Sequence, residues 1–172
     1  MSHGERTHDF KPKPVSASAT TLATLMEPAD SNPIGNVHGG VIMKLVDQAA
    51  GAAAIRHSSR ICVTAAIDRL DFLGPVHVGN MVTLKAAVNY THRTSMEIGV
   101  RVEAQTLHTG EVRHIATALL IYVALDDQCR PTEVPPILPE SEEEKIRFKQ
   151  GELRYRHRKE LREKERALGA HS

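Results

Sequence analysis

The feature that most constrains this chain is a helix-forming stretch that is apolar on nearly all sides. It runs from Val41 to Ile55 and follows a turn-rich loop, Asn32 to Gly40, whose final Gly39-Gly40 pair marks the start of a helix. Because a helix of this kind has to be covered over most of its surface, the sequence predicts a long central helix wrapped by other elements, most simply by a sheet. One carboxylate, Asp47, lies in the middle of the helix.

Asp47 has two interpretations. It shares one helical stripe with Lys44, Gln48 and Gly51, because residues three, four and seven apart face the same way. The stripe is either a solvated edge on which Lys44 pairs with Asp47, or the wall of a cleft in which the carboxylate acts on a substrate. The Gly39-Gly40 pair favours the second interpretation, since exposed N–H groups at a helix N-terminus form a site for a developing oxyanion.

The distance between these groups requires a second chain. Gly39 and Asp47 are eight residues apart in the sequence, which places them about 12 Å apart along a helix axis. The backward tilt of the aspartate side chain recovers only part of that gap. One carbonyl group cannot contact both, so a shared substrate requires two chains related by a two-fold axis, with their helices antiparallel. The chemistry therefore predicts a homodimer.

The remaining residues of the main domain predict strands. One strand precedes the central helix and four follow it, several with alternating apolar and polar residues. The predicted strands are Ser16 to Met26, Ile61 to Phe72, Met81 to Tyr90, Ser95 to Ala104, and Glu111 to Ala124, the last of them central because its end is apolar on both sides. No helix connects the late strands, so the sheet is expected to be antiparallel. The predicted fold class is α+β, a curved antiparallel β-sheet wrapped around one long central helix.

The two ends of the chain differ in composition from this main domain, which we place at residues 16–130. Residues 1–15 are polar and predict a flexible N-terminal arm, whereas residues 131–172 predict a Pro-rich linker followed by a charged C-terminal helix, Glu142 to Leu168. That helix has few apolar residues, so it is expected to be a solvated helix that docks by one thin stripe, with a neighbouring subunit as one candidate partner. The stripe consists of Ile146, Phe148, Leu153, Tyr155 and Leu161.

Composition argues against several classes of partner. A formal net charge of +1, 3% aromatic residues and no Trp disfavour nucleic-acid binding, and no apolar run is long enough to span a membrane. Cys62 and Cys129 have no metal-ligand spacing, which predicts reduced thiols in a cytoplasmic protein. The ten histidines form no metal-binding pattern, so no metal site is expected.

The sequence resembles the hotdog-fold acyl-CoA thioesterases, and within them the cytosolic (brain) acyl-CoA hydrolase group. The likeness rests on Asn32, His38-Gly39-Gly40 and Asp47, and extends to residues 63–68, 95–98 and 145–148. It implies a hotdog fold at residues 16–130 and hydrolysis of fatty acyl-CoA to a free fatty acid and CoA. It implies no cofactor beyond the coenzyme A of the substrate. It also implies a homodimer as the minimal active unit, assembled further into a trimer of dimers.

The resemblance also implies roles for single residues. Asp47 matches a carboxylate that acts as general base or nucleophile, and Asn32 matches an amide that positions water or substrate. Gly39 matches the N–H that polarises the thioester carbonyl, while Gly40 keeps the approach open and His38 supports the loop. Both Asn32 and Asp47 occur in this single repeat, so a homodimer is expected to hold two complete sites.

One position departs from the family pattern. Some relatives carry a hydroxyl residue two positions before Asp68, where this chain has Ala66, so a role for that hydroxyl in holding the water is not assumed. Arg93, Thr94 and Ser95 are candidates to contact the pantetheine or the phosphates of CoA; the alternative is a polar hairpin turn.

Two other functions stay open. One is a non-catalytic acyl-CoA-binding or sensor hotdog protein. The other is a hotdog enoyl-thioester hydratase, which would need a His–acid pair facing the β-carbon. His38 with Asp47 does not match the signatures of those hydratases.

Overall fold

The computed structural model describes residues 10–169. In chain order its strands are β1 (Lys13–Pro14), β2 (Thr20–Leu25), β3 (Ile61–Phe72), β4 (Asn80–His92), β5 (Ser95–Thr106), β6 (Glu111–Leu125) and β7 (Ile137–Leu138), and its α-helices are α1 (Gly39–Ser58) and α2 (Glu142–Gly169). Short 3-10 helices occupy Val15–Ala17 and Pro28–Asp30. Five strands form one sheet in the order β2-β4-β5-β6-β3, with every neighbouring pair antiparallel. The predicted α+β fold, an antiparallel sheet against a central helix, is confirmed.

Helix α1 lies against one face of this sheet. Its N-cap is His38, whose ring Nδ1 accepts a hydrogen bond from the Gly40 N–H at 3.0 Å. Ser59 ends the helix in a left-handed conformation with φ 56°. The face toward the sheet carries mostly small side chains, which lets the helix approach closely. The buried residues of this face include Ile42, Val46, Ala49, Ala50, Ala53 and Ala54.

The sheet contributes the other half of the core by strand alternation. Every second residue of β4 and β5 points toward α1 and is buried. These residues are Val82, Leu84, Ala86 and Val88 on β4, and Met96, Ile98, Val100, Val102 and Ala104 on β5. Strand β6 lies between β5 and β3, as its doubly apolar end predicted.

Strand β3 forms one edge of the sheet and leaves large apolar side chains exposed. Ile61 is 71% exposed and Phe72 is 48% exposed. The register of β3 against β6 shifts twice, between Thr64 and Ala66 and again between Ile67 and Arg69. Such bulges increase local twist and re-aim side chains. A long edge strand with exposed apolar residues is a surface that another chain can cover.

Helix α2 packs on the opposite face of the sheet, over β4 and β5. The ring of Tyr90 lies 5.2 Å from the Phe148 ring and 5.8 Å from the Tyr155 ring, centroid to centroid. Gly151 allows the close approach, because a Cβ at this position would lie 2.6 Å from the Cβ of Tyr90.

Within the protomer, only part of the predicted stripe of α2 makes contact. Phe148 and Tyr155 make the predicted contacts, but Ile146, Leu153 and Leu161 are 56%, 69% and 47% exposed. Apolar residues spaced along a helix do not all face the same neighbour, and here Gly151 and two arginines complete the docking face.

A buried ion-pair network completes that docking. Glu97 on β5 is only 2% exposed, and Arg154 donates to both of its carboxylate oxygens, at 2.6 and 3.0 Å. Arg158, one turn further along α2, lies 3.6 Å from Glu97 and donates to Asp68 on β3 at 2.7 Å.

The N-terminal arm does not extend as far as residue 15. Lys13 and Pro14 pair in parallel with Ile137 and Leu138, and Val15 is buried. The linker after β6 supplies the backbone partners that give this segment its fixed position. Residues 1–9 of the predicted arm lie outside the described residues.

Close to the pairing of β1 with β7, the side chain of His57 is fully buried, and its Nε2–H donates to the Pro135 carbonyl at 2.8 Å. Burial lowers the pKa of His57; its hydrogen bond to Pro135 acts in the opposite direction, and the charge of Lys13 adds to the lowering. His57 is therefore neutral at neutral pH.

Over residues 10–169, neither helix is both long enough and apolar enough to cross a bilayer.

Candidate active site

Two hydroxyl groups converge on one oxygen of Asp47. Thr64 on β3 donates to Oδ1 at 2.6 Å, and Tyr122 on β6 lies 2.7 Å both from Oδ1 and from the backbone oxygen of Asp47. Thr64 and Tyr122 are direct cross-strand partners, which places both side chains on the α1 face of the sheet. Among the described residues, none donates to Oδ2.

The solvated-edge interpretation of Asp47 is not supported. Within residues 10–169 Asp47 forms no ion pair, and Lys44 is exposed on the helix surface. Asp47 itself is half-buried between α1 and the β3–β6 pair. Asp47 and Gly51 of the stripe therefore face the β3–β6 pair, where the carboxylate is held by neutral donors, whereas Lys44 and Gln48 are exposed.

The hydroxyl of Tyr122 is a permanent donor. Burial raises the pKa of its phenol well above the usual range; the hydrogen bond with Thr64 acts in the opposite direction, and the neighbouring Asp47 carboxylate raises the pKa again. Gly51, one turn after Asp47, leaves the room for this hydroxyl, since a Cβ there would lie 3.3 Å from the phenol oxygen.

Asn32 is held by its own loop. Its Oδ1 accepts hydrogen bonds from the N–H groups of Ile34 and Asn36, both at 3.1 Å, and its backbone N–H donates to the Asn36 carbonyl at 2.7 Å. These two donors fix the orientation of the side-chain amide. The Nδ2 group is the end of Asn32 that remains available to a ligand.

The N-terminus of α1 offers one free N–H where the sequence predicted two. The N–H of Gly40 is taken by the His38 ring, because an N-cap side chain satisfies the first turn. Among the described residues, nothing accepts a hydrogen bond from the Gly39 N–H. The Phe72 ring lies beside Gly39, 3.6 Å from the position of a Cβ. His38 also donates its backbone N–H to Asp30 at 2.8 Å, in keeping with a supporting role in the loop.

A single protomer does not bring the two halves of the predicted site together. Helix α1 is continuous from Gly39 to Ser58, so Gly39 and Asp47 are separated by about 12 Å along its axis. The Asn32 loop joins the Gly39 end of the helix. The argument for a site built from two chains therefore holds for the observed helix.

The other predicted substrate contacts lie on the opposite face of the sheet. Arg93 and Thr94 form the tight turn between β4 and β5, where His92 pairs with Ser95 and Arg93 has a positive φ of 42°. This hairpin, which is the structural alternative considered for these residues, also lines a cleft of about 530 Å³ together with the second half of α2. We call it the basic cleft. Its charged residues are Arg93, Glu97, Arg158, Lys159, Arg162, Glu163 and Arg166.

Sequence reasoning missed Thr64 and Tyr122. The hydroxyl that appeared to be absent at Ala66 is supplied two residues earlier by Thr64, next to the first bulge of β3. A tyrosine inside the apolar run of β6 was the signal for the second donor, because a buried phenol requires a hydrogen-bond partner.

Over residues 10–169, no group of three or more His, Cys, Asp or Glu side chains is placed to hold a metal ion.

Comparison with known proteins agrees with the fold. Residues 34–111 match the family model described as Thioesterase superfamily. The cytosolic acyl coenzyme A thioester hydrolase of Rattus norvegicus is 38% identical over 147 residues, which are 84% of this chain and 39% of that protein. The chain thus spans about two fifths of the length of that curated relative.

Solved structures match over most of the chain. A hexameric acyl-CoA thioesterase in its apo form is 36% identical, with a TM-score of 0.85 over 88% of this chain and 97% of that one. An acyl-CoA hydrolase from Staphylococcus aureus, in complex with butyryl coenzyme A, coenzyme A and coenzyme A disulfide, is 30% identical, with a TM-score of 0.83 over 91% of this chain and 95% of that one. The same enzyme has been solved with an aspartate, an asparagine or a threonine replaced by alanine.

Proposed function

Because the chain belongs to the thioesterase superfamily, we propose that it is an acyl-CoA thioester hydrolase that splits fatty acyl-CoA into a fatty acid and CoA. The observation that carries the proposal is the state of Asp47. Its carboxylate is half-buried, is fixed by two neutral donors through Oδ1, and keeps Oδ2 open. A carboxylate without a cationic partner, held beside an open edge, is suited to accept a proton from water.

The reaction uses the chain's own groups. In the nucleophilic alternative the Asp47 carboxylate attacks the thioester carbonyl carbon, the CoA thiolate leaves, and water hydrolyses the resulting anhydride to the fatty acid and Asp47, with the second proton of the water going to the thiolate. In the general-base route, Asp47 takes a proton from a water molecule, and the resulting hydroxide attacks the thioester carbonyl carbon. The carbonyl oxygen becomes negative and accepts a hydrogen bond from the Gly39 N–H at the positive end of α1. The carbon–sulfur bond then breaks, and the CoA thiolate takes up the proton held by Asp47. The Nδ2 of Asn32 positions the water or the carbonyl.

The site is shared between two subunits. A carbonyl that contacts Gly39 of one protomer reacts with Asp47 of its partner, because one helix cannot supply both. The exposed apolar edge of β3 is the surface along which two protomers pair, since it adjoins Thr64 and Asp47. Pairs of this kind would assemble as a trimer of dimers, by analogy with the hexameric acyl-CoA thioesterase of similar structure.

The basic cleft receives the phosphates of CoA. Arg93, Lys159 and Arg162 supply positive charge there, and Thr94 and Ser95 supply hydroxyl groups. Gly40, with no side chain, leaves the entrance to the Gly39 N–H open, and His38 keeps that turn in place.

The sequence separations of three residues in the Staphylococcus aureus hydrolase support these assignments. The asparagine, aspartate and threonine that were replaced in its variants are separated by 15 and 17 residues. Asn32, Asp47 and Thr64 have the same separations here.

The proposal is tested by thiol release from acyl-CoAs of graded chain length. We expect the parent chain to hydrolyse them and Asp47→Ala to lose hydrolysis while keeping the unfolding midpoint and oligomeric state of the parent. Full activity in Asp47→Ala would overturn the assignment. Binding of acyl-CoA by the parent without release of thiol would instead identify the non-catalytic sensor.

Complementation tests the shared site. Asn32→Ala and Asp47→Ala chains carrying different affinity tags are refolded together, and the mixed dimers are isolated by both tags. Each mixed dimer holds one site with both lesions and one intact site, so about half of the parent activity is expected. Mixed dimers as inactive as either pure variant would show that each site is built from one chain.

A further inference from the structure

We propose that Tyr122 is a positioning residue for thioester hydrolysis: its hydroxyl, together with that of Thr64, holds Oδ1 of Asp47 so that Oδ2 alone faces the substrate. The inference rests on the proposed function of Asp47 and deepens it. Tyr122 lies on strand β6, far in the sequence from the residues around Asp47, and the inference gives this side chain a task.

The geometry gives the two carboxylate oxygens different tasks. Tyr122 and Thr64 donate to Oδ1 from adjacent strands at 2.7 and 2.6 Å. An oxygen that accepts two hydrogen bonds in a partly buried site has little remaining capacity for a water proton. The plane of the carboxylate is fixed at the same time, because a donor on each side of Oδ1 resists rotation about the Cβ–Cγ bond. Oδ2 is then the reacting oxygen.

The hydroxyl of Tyr122 is not needed for packing. The other α1-facing residues of β6, Ala116, Ala118, Leu120 and Ala124, are apolar and fully buried, and a phenylalanine would fill the volume of the Tyr122 ring. Burying a phenol hydroxyl is unfavourable unless it is hydrogen-bonded. The Tyr122 hydroxyl donates to the carboxylate and the backbone oxygen of Asp47, and its other polar neighbour is the hydroxyl of Thr64, which contacts the same carboxylate, so the hydroxyl acts at that carboxylate.

Gly51 makes this arrangement possible. The carbon atoms of the Tyr122 ring and its hydroxyl lie against the glycine, and a Cβ would stand 3.3 Å from the phenol oxygen and 3.5 Å from Cε1. The first distance is tighter than an ordinary contact, so we expect a methyl group to shift the hydroxyl by a few tenths of an ångström and to weaken its hydrogen bond to Asp47. In a variant without the hydroxyl, a Cβ at residue 51 would make only an ordinary van der Waals contact with the ring at position 122.

Tyr122 does not transfer protons itself. Its pKa is raised by burial and by Asp47, so the phenol keeps its proton at neutral pH. Its contribution is therefore orientation, which acts on kcat and leaves substrate binding unchanged.

The test compares kcat and KM in Tyr122→Phe, Gly51→Ala and the double variant, in the full chain. We expect kcat to fall about tenfold in each single variant, which corresponds to about 1.4 kcal/mol in the activation barrier, with KM within twofold of the parent. The double variant should be no slower than Tyr122→Phe, because the methyl group of residue 51 acts only through the hydroxyl. Thr117→Val, which removes a hydroxyl from the same strand, is the matched control and should keep the parent kcat.

A kcat within twofold of the parent in Tyr122→Phe would overturn the inference, as would equal losses in Tyr122→Phe and Thr117→Val. A rise in KM with kcat unchanged would also overturn it. Asp47→Ala, measured alongside, separates this from the proposed function. If Asp47→Ala is inactive while Tyr122→Phe is fully active, only the role of Tyr122 fails; if Asp47→Ala is active, the assignment of the site fails.

Discussion

Replacing Arg154 by alanine should destabilise the chain more than the same replacement at an exposed arginine of α2. The guanidinium of Arg154 donates to both oxygens of Glu97, and that carboxylate is 2% exposed. Glu97 in turn raises the pKa of Arg154. Removing one partner of a buried pair costs about 3–5 kcal/mol, because the other charge stays buried. Arg158 at 3.6 Å and Asn89 at 3.4 Å compensate in part, so we expect a loss of about 2–3 kcal/mol.

The assay is urea unfolding of Arg154→Ala against Arg156→Ala, the same substitution two residues along the helix. Arg156 pairs with Glu152 at 2.7 Å, but their side chains are 67% and 37% exposed, so its loss should cost less than about 0.5 kcal/mol. Glu97→Gln introduced into Arg154→Ala should recover part of the stability, since it removes the uncompensated charge. Equal destabilisation in the two alanine variants would refute the reasoning that burial of Glu97 decides the effect.

Two further predictions concern pH and substrate binding. The pKa of His57 is lowered below 6.5 in the folded chain. The unfolded chain therefore binds an extra proton as the pH falls below about 6.5, and the free energy of unfolding decreases. Between pH 7.5 and 5.5, His57→Gln should lose that part of the decrease, and the exposed control His108→Gln should keep it. Arg162→Glu in the basic cleft should raise KM for acyl-CoA several-fold at unchanged kcat, whereas Arg156→Glu, outside the cleft, should leave KM within twofold in the same thiol-release assay.

The local sequence pattern was sufficient to predict the main helices and strands and to single out Asp47 as a candidate residue. The alternation along β4 and β5 predicted their buried faces, because side chains of a strand alternate regardless of what pairs with it. Asp47 was found because a single carboxylate inside an apolar helix is costly unless it has a task. The start of α1 followed from the Gly39-Gly40 pair in the same way.

Pairing between distant strands was not predictable from that pattern. Thr64 and Tyr122 are 58 residues apart in the sequence, and their contact depends on the register of β3 against β6, which includes two bulges. A shift of one residue would turn Thr64 away from Asp47. The docking of α2 within the protomer was predicted only in part for a similar reason: a glycine and two arginines carry no apolar signal, and only the position of Glu97 on the sheet gives them a partner.

The placement of charge on the two faces of the sheet constrains how a substrate must lie. Asp47 is on the α1 face, and the cations of the basic cleft are on the α2 face. Within a protomer the faces meet at the edge strand β3, where Thr64 contacts Asp47 and its neighbour Ala65, at the first bulge, lines the cleft. Under the proposed function, an acyl-CoA with its phosphates in the cleft and its thioester at Asp47 has to cross β3 at the small side chain of Ala65. If the site is shared between subunits as proposed, that edge is also where Gly39 of the second subunit approaches, and substrate binding and subunit pairing would then depend on the same strand.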